Sequence, residues 1–402
     1  MKATKNNCIK LAMSEAKVTL YFGHYSSWII WINSYIIPPA AIVVVATNAC
    51  VIFVYCTQFK KTRNETTKMS SLLYVAIATS NILAVIPKAV LYIYSFVLGH
   101  VTSYIPYELC WNWYFLLKLS IIPHISSIWF VAVLSLQRYM VIRHPFTSGQ
   151  TWSLRKTVIA VILIVFASFV METPYIFACK FLPLDLHSFS NFTNITSKLT
   201  CHVQYADWLN DSGKEVEIFM LCIILFFVII VSSTIILYCD FSLIGFLLTS
   251  AKVRKLMVNI LNYDIESGFQ SAKLKTKLQS SRHSSSKRKT NSKLESSDTN
   301  HQIILIVTFS LIVFVVEIPY GIILSLYIYF TVNEIPKPFE WYWVGPIRTI
   351  FDVSIVMSYP SLFILSCTLS RRFRRILWAS CTNRKIHKNS PTPYSTVRTS
   401  VR

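Results

Sequence analysis

The sequence predicts an all-α membrane protein, a bundle of seven membrane-spanning helices with a short amphipathic eighth helix. Of the 402 residues, 53% are hydrophobic and only 14% are charged, whereas soluble domains carry about 25% charged residues. The mean hydropathy is +0.49 although the net charge is +21, so the apolar residues must lie in long runs with the charges between them. The 26 Phe and 21 Tyr residues exclude a generally disordered chain.

Seven apolar runs reach the length of about 20 residues that a helix needs to cross a bilayer. They cover approximately residues 38–59, 69–97, 113–139, 157–177, 218–248, 303–330 and 343–369. Each run is continuous rather than alternating between apolar and polar residues, which favours helices over the strands of a β-barrel. The expected organisation is an N-terminal segment over 1–37, a seven-helix domain over 38–369, and an amphipathic helix with a tail over 370–402. A Ser- and Lys-rich loop of that domain, about 251–300, is expected to be disordered.

The distribution of basic residues predicts the orientation of the helices. Of the 39 Lys and Arg residues, 28 lie on one predicted side of the membrane. They are found at the ends of the first and third spans and in the loops after them, in the loop 251–300 and in the tail after residue 369. Because cytoplasmic loops carry the excess of Lys and Arg, we expect these segments inside the cell. A multi-pass plasma-membrane protein follows, with an extracellular N-terminus and a cytoplasmic C-terminus. The sequons at Asn191, Asn194 and Asn210 then fall in an outer loop, where they can be glycosylated.

The positive charge indicates lipid rather than nucleic acid as the partner. Most Lys and Arg residues flank the predicted helices, so topology and the anionic lipids of the inner leaflet explain them. The stretch SRRFRRILWAS, 370–380, can lie on the membrane with its arginines towards the headgroups. Cys381 follows this stretch and is a candidate for palmitoylation. Serines beside basic residues in the inner loop and the tail suit kinases, and with them arrestin, as cytoplasmic partners.

The cysteines on the outer side predict a disulfide. Cys110, Cys179 and Cys201 lie in outer loops or at helix ends, where disulfides persist. The preferred bridge joins Cys110 to Cys201 and would tie the top of the third helix to the loop that carries the sequons. Cys8 and Cys179 are left either free or paired with each other.

Several motifs, in order along the seven spans, carry a resemblance to a known family. The segment LSLQRYMVIRHPF, 134–146, resembles the Asp-Arg-Tyr region of rhodopsin-like G-protein-coupled receptors, with Gln137 in place of the acid. Asn48 resembles the asparagine of the first helix, and YPSLF, 359–363, resembles a degraded Asn-Pro-x-x-Tyr motif. The resemblance implies coupling to a heterotrimeric G protein. It assigns roles in activation to Gln137, Arg138, Tyr139, Tyr238, Pro319, Tyr359, Pro360 and Phe363.

The departures from the family pattern are similar to those of one branch. Three features resemble the invertebrate FMRFamide, myosuppressin and sex-peptide receptors. They are the segment IIPHISSIWFVAVLSLQRY, the Glu in VVEIPYGI where most such receptors have Trp, and the ending SCTLSRRFR. Nematode-type Srw chemoreceptors share much of this pattern. The resemblance implies an amidated neuropeptide as the extracellular ligand, with a small environmental molecule as the alternative. A transporter or channel is a distant alternative because neither half of the chain repeats the other, and the chain carries no common enzyme motif.

Ionisable residues within the spans are the candidates for ligand binding, because burying a charge in the bilayer costs free energy and usually serves a function. Glu317 and Asp352 could receive a ligand cation, since peptides of the resembled branch end in Arg-Phe-amide or in an amidated tryptophan. The full candidate set is Glu317, Asp352, His124, Tyr320, Glu172, Lys118 and Lys88. The competing interpretation is internal pairing, in which Lys88 or Lys118 neutralises Glu317 or Asp352. Trp129 is expected to face neighbouring helices or lipid.

Asn81 stands where most of the resembled family has an aspartate that binds sodium, with Ser127 across from it. An amide carries no charge to hold the ion, and Ile355 and Tyr359 replace further polar partners. We therefore expect that sodium does not lower the affinity for an agonist. No other metal ion and no cofactor is expected.

Two further departures concern helix geometry. Cys110 lies 28 positions before Arg138, about three more than is usual in the family, so its bridge could be placed differently. The fifth span lacks the customary proline, although Tyr238 matches the tyrosine that closes behind the opened sixth helix.

Overall fold

The structure is a computed structural model that describes residues 27–98, 107–144, 152–177, 179–184, 200–206, 213–249, 282–333 and 341–382. Within these residues, seven helical stretches are long and apolar enough to cross a membrane. In chain order these spans are Trp31–Lys61, Glu65–Tyr92, Leu109–Arg143, Leu154–Pro174, Ile218–Thr249, Asn300–Phe330 and Thr349–Leu369. They confirm the predicted fold class, an all-α bundle of seven membrane-spanning helices.

The first span begins earlier than the sequence predicted. A short helix, Ser27–Tyr35, leads into the helix Ile37–Lys61, whereas the expected start was residue 38. Pro38 and Pro39 lie in the first turn of the second of these helices. The N–H groups of a first turn have no hydrogen-bond partner within the helix, so proline costs no hydrogen bond there. The prolines therefore mark the join between two helices and not the start of the span.

The second span is the helix Glu65–Tyr92, which continues as a π-helical turn over Ile93–Val97. Asn64 caps its N-terminus, because its Oδ1 accepts hydrogen bonds from the backbone N–H groups of Thr66 and Thr67 at 2.9 and 3.4 Å. This cap fixes the short turn between the first two spans.

The third span lies in the long helix Tyr107–Arg143, and the fourth in the helix Leu154–Phe177. An antiparallel hairpin follows, with strands β1, Cys179–Leu184, and β2, Thr200–Tyr205. The strands pair so that Cys179 lies opposite Tyr205 and Leu184 opposite Thr200.

The hairpin packs against the start of the third span. Phe181 of β1 meets the rings of Trp111 and Tyr114 edge-on, with centroids 5.8 and 5.5 Å apart. The sequence did not predict these strands, because each has only six residues and their support comes from another helix. This side of the bundle is called the hairpin end, and the opposite side, which carries the helix Arg371–Cys381, is called the tail end.

The fifth span consists of the helix Gly213–Ile224, a π-helical segment Leu225–Val231, and a further helix over 232–249. The span lacks the customary proline, yet the π-helical segment still interrupts the regular helix. Ser232 follows this segment, and its hydroxyl donates to the carbonyl of Val228.

The π-helical segment places Ile229 directly against Gly321 of the sixth span. A Cβ atom at position 321 would lie only 2.7 Å from Cγ2 of Ile229. We expect Gly321→Val to lower the free energy of unfolding by about 1–3 kcal/mol, because overpacking forces side chains or backbone to move. Thermal unfolding of the purified protein in detergent measures the change. Gly245→Val is the matched control, since nothing lies within 4 Å of a Cβ there, and an equal loss for both variants would contradict the close approach.

The sixth span lies in the helix Arg282–Val332, which begins well before the predicted start at residue 303. Its first turns occupy residues 282–300 of the loop 251–300 that the sequence predicted to be disordered. An existing helix extends readily into polar sequence, because each added residue gains a hydrogen bond without a new nucleation step. Residues 250–281 lie outside the described part of the chain.

The seventh span is broken near its middle. The helix Trp341–Ser358 is followed by the helix Ser361–Leu369, with Pro360 at the N-cap of the second piece. The amphipathic helix Arg371–Cys381 comes next, as the sequence predicted. Ser370 caps it, since the Ser370 hydroxyl accepts the backbone N–H of Phe373 at 3.2 Å.

The apolar core is largest towards the tail end. The second span packs against both the first and the third spans, and Leu73, Leu134 and Leu362 are fully buried in this core. Phe373 anchors the amphipathic helix there, with ring centroids 5.6 Å from Tyr55 and 6.0 Å from Phe363. The amphipathic helix is therefore part of the packed bundle.

Candidate functional site

Six ionisable side chains of the spans form three pairs, each between two helices. They lie between the middle of the bundle and the hairpin end and are called the charged cluster: Lys88, Lys118, His124, Glu172, Glu317 and Asp352. All six were predicted as ligand-binding candidates, and internal pairing was the competing interpretation. The structure brings them together as pairs. It does not test whether they bind a ligand.

The pair with the shortest distance joins the second and seventh spans. Lys88 Nζ lies 2.9 Å from Asp352 Oδ1, and the hydroxyl of Tyr92 donates to Asp352 Oδ2 at 3.0 Å. The two charged side chains are only 17% and 14% exposed. Both carboxylate oxygens of Asp352 are thus engaged by donors of the second span.

A looser pair joins the third and fourth spans. Lys118 Nζ lies 3.8 Å from Glu172 Oε2, too far for a hydrogen bond, and Oε2 is buried without a hydrogen-bond partner among the described atoms. The ammonium also lies 5.7 Å from the ring centroid of Tyr114. Glu172 therefore faces a cation that is shared with an aromatic ring.

The third pair extends through a histidine across three helices. His124 Nε2 of the third span lies 3.4 Å from Glu317 Oε1 of the sixth, and His124 Nδ1 lies 3.0 Å from the hydroxyl of Tyr359 of the seventh. If Tyr359 donates to Nδ1, a neutral imidazole carries its proton on Nε2, the nitrogen that faces Glu317. Glu317 is 6% exposed. It is thus a buried acid whose ion-pair partner among the described residues is a histidine and not a lysine.

Two aromatic residues from the sequence analysis lie apart from these pairs. Tyr320 is 42% exposed, and its ring meets that of Phe351 edge-on at 6.4 Å. Trp129 is partly buried among apolar residues of two core clusters, so it packs against neighbouring helices. Tyr320 is thus brought next to the seventh span, while Trp129 belongs to the core.

A chain of amides continues from Tyr359 towards the middle of the bundle. Asn48 Nδ2 donates to the Tyr359 carbonyl at 3.5 Å, and Asn48 Oδ1 accepts from Asn81 Nδ2 at 3.3 Å. Ser127 in turn donates to Asn81 Oδ1 at 2.8 Å. Four spans are therefore linked by neutral groups. The expectation that sodium does not lower agonist affinity stays a prediction.

The residues predicted to act in activation lie at the tail end. Gln137 is fully buried and accepts a hydrogen bond from Ser70 at 3.3 Å. Arg138 is 9% exposed, its Nε has no hydrogen-bond partner, and none of the ion pairs among the described residues includes it. The hydroxyls of Tyr139 and Tyr238 lie 3.4 Å apart and join the third and fifth spans. A buried arginine without a carboxylate beside it can accept a new partner when the tail end opens.

The family model of the seven-transmembrane receptors of the rhodopsin family matches residues 47–371, most of the chain. The chain belongs to this family. No curated protein matches the chain closely enough to serve as a relative. Membership of the rhodopsin family implies signalling through a heterotrimeric G protein, an extracellular ligand and a multi-pass position in the plasma membrane. Members of the family are generally not enzymes.

In this rhodopsin-family receptor, Pro319, Pro360 and Phe363 occupy positions that fit helix movement. Pro319 lies inside the sixth-span helix two residues after Glu317, and Pro360 lies at the break of the seventh span. Phe363 follows the break and packs into the tail-end core. Proline frees a backbone carbonyl and permits a kink. Two acids of the charged cluster, Glu317 and Asp352, lie on the two helices that carry these prolines.

The sequence analysis of the receptor missed one charged residue, Asp240 of the fifth span. Asp240 is 1% exposed, and its Oδ2 accepts a hydrogen bond from the hydroxyl of Ser310 of the sixth span at 2.5 Å. An acid inside the predicted apolar run 218–248 was a sufficient signal to find it.

The structure describes the side chains of two cysteines for which the sequence predicted a covalent modification. Cys110 is buried and disulfide-bonded, and Cys381 at the end of the amphipathic helix is an exposed free thiol. Cys201 lies in β2, but its side chain is outside the described part, so its pairing with Cys110 stays a prediction. The sequons Asn191, Asn194 and Asn210, together with Cys8, also lie outside the described residues.

Proposed function

We propose that the receptor recognises an amidated neuropeptide through a positively charged group that binds Glu317. The observation that carries this proposal is the pairing of Glu317, a buried acid held by His124 and not by a lysine. The resemblance to the invertebrate FMRFamide, myosuppressin and sex-peptide receptors supplies the ligand class, peptides that end in Arg-Phe-amide or in an amidated tryptophan.

The charge balance of the cluster favours a cationic ligand. The cluster holds three carboxylates and two lysines, so one negative charge is left when His124 is neutral. Asp352 and Glu172 each have a lysine, which leaves Glu317 as the acid that an incoming cation can satisfy. An arginine guanidinium suits this position because it stays charged and offers a fork of donors to a carboxylate.

Binding at Glu317 would also reach the seventh span. A guanidinium on Glu317 competes with His124 Nε2, and the other nitrogen of the same ring holds the hydroxyl of Tyr359. Displacing the ring would remove support from the break at Tyr359–Pro360. The ligand would then bind one arrangement of the sixth and seventh spans better than the other, which is the requirement for shifting the population of states.

Lys88 with Asp352 and Lys118 with Glu172 would act mainly as cross-helix locks near this pocket. Each pair joins two spans and already neutralises its acid. Tyr320 would contribute its exposed ring at the rim, next to Phe351.

The proposed orientation puts the hairpin end outside the cell and the tail end inside. The excess of Lys and Arg on the tail-end segments supports it. In this orientation the sequons Asn191, Asn194 and Asn210 face the glycosylation machinery, and Arg138 faces the G protein. The arginines of Arg371–Cys381 meet inner-leaflet lipids, Cys381 is placed for palmitoylation, and the basic loop and tail are available to kinases and arrestin.

A ligand screen tests the proposed function. Cells that express the receptor with a promiscuous G protein are exposed to amidated invertebrate peptides, with the same peptides as free acids for comparison. We expect a sub-micromolar response that requires both the receptor and the C-terminal amide. Silence across the library from receptor detected at the cell surface would contradict the peptide proposal and favour a small environmental ligand.

A further inference from the structure

Asp240 is a buried acid that plays no part in the proposed ligand pocket. It lies in the fifth span two residues after Tyr238, towards the tail end, and is 1% exposed. We propose that Asp240 positions the sixth span for signalling: together with Ser310 it forms a polar latch that holds the fifth and sixth spans together at the tail end until activation.

The contacts of Asp240 come from two neighbouring helices. Ser310 of the sixth span, itself fully buried, bonds to Asp240 Oδ2 at 2.5 Å and also lies 2.8 Å from the carbonyl of Ile306 in its own helix. Ser135 of the third span lies near the carboxyl and is also fully buried. Neither Ser135 Oγ nor Asp240 Oδ1 has a hydrogen-bond partner of good geometry among the described atoms. The single strong polar link of Asp240 therefore runs to the sixth span.

The position of the link makes it sensitive to helix movement. The hydroxyls of Tyr139 and Tyr238 meet nearby, so the third, fifth and sixth spans converge here. If the sixth span moves away from the fifth, the carboxyl of Asp240 loses its donor while it is still surrounded by apolar side chains, and such an unpaired group is unfavourable. The closed arrangement is thus favoured until the opening lets water or a partner reach the carboxyl.

This inference rests on the proposed function only where it links separation of the fifth and sixth spans to G-protein signalling. The separation is therefore measured by itself. Spin labels on genetically encoded keto amino acids at Thr249 and Ile304, both exposed, report the distance between the fifth and sixth spans without using the native thiols. Ligand-free G-protein activation is measured in parallel at matched surface expression.

We expect Asp240→Ala to increase the population with separated spans, and the basal signal, by about threefold to tenfold, the range for losing one hydrogen bond between membrane helices. Ser310→Ala should have the same effect, and the double variant no larger one, because both remove one link. Asp240→Asn keeps an acceptor for Ser310 and should stay near the wild-type distance and signal. Ser242→Ala is the matched control, since its hydroxyl donates to the carbonyl of Tyr238 in its own helix.

An unchanged distance distribution in both Asp240→Ala and Ser310→Ala would overturn the latch. A distance change equal in Asp240→Asn and Asp240→Ala would also overturn it, since the amide retains the link. Separation of the spans without any G-protein signal would support the latch and count against the proposed coupling instead.

Discussion

Asp352→Asn should lower the free energy of unfolding of the receptor by about 3 kcal/mol and sharply reduce its amount at the cell surface. The substitution leaves the Lys88 ammonium, only 17% exposed, without a charged partner 2.9 Å away. Removing one member of a buried ion pair costs about 3–5 kcal/mol, and the remaining exposure of both side chains argues for the lower limit. Thermal unfolding in detergent and surface labelling of cells measure the two effects.

A double variant distinguishes the loss of the ion pair from a change in side-chain packing. Lys88→Met with Asp352→Asn removes both charges and should recover most of the stability, because no unpaired charge is left between the spans. The hydroxyl of Tyr92 can still donate to the amide oxygen at position 352. Lys60→Met, an exposed lysine at the end of the first span, is the control and should have no effect. A double variant as unstable as the single one would show that the pair is not a lock.

Glu317→Gln should reduce the potency of the amidated peptide by about 10- to 100-fold while surface expression stays close to wild type. The expected range corresponds to a hydrogen bond between charged groups, about 1.5–3 kcal/mol, being replaced by a neutral one. Folding should tolerate the amide, because glutamine has nearly the same shape as glutamate and leaves no buried charge unpaired beside His124. Concentration–response curves of G-protein activation give the potency.

Glu215→Gln is the matched control for this variant. Glu215 is an exposed carboxylate at the hairpin end of the fifth span, so it reports the general effect of negative charge near the ligand entrance. The potency of the peptide on Glu215→Gln should change by less than about twofold, because exposed charges are screened by solvent and salt. Equal losses in both variants would attribute the effect to the overall field and not to contact with Glu317.

The seven spans could be predicted because each depends on a local property, an apolar run about as long as the bilayer is thick. The amphipathic helix Arg371–Cys381 was equally readable from its own sequence. The hairpin and the π-helical segment Leu225–Val231 could not be predicted in the same way. Both depend on contacts between distant segments, such as Phe181 against Trp111 and Ile229 against Gly321.

The same limit applies to the candidate site. Sequence reasoning found the six residues of the charged cluster, because an ionisable residue in an apolar run is conspicuous. It could not choose their partners, since Lys88 and Lys118 were each compatible with several acids. Two acids pair with a lysine and Glu317 pairs with a histidine. This difference follows from the packing of the helices, which brings His124 within 3.4 Å of Glu317, and it could not be predicted from the sequence. Asp240 was equally conspicuous in sequence, but its link to Ser310 was not.

The most direct measurement of the central claim combines a change in the receptor with a change in the ligand. An active peptide is compared with its analogue in which citrulline replaces the cationic arginine, on wild type and on Glu317→Gln. If the guanidinium binds Glu317, citrulline should weaken activation of wild type by about 10- to 100-fold and activation of Glu317→Gln by less than about threefold. The same loss on both receptors would show that the ligand cation binds elsewhere and would contradict the account.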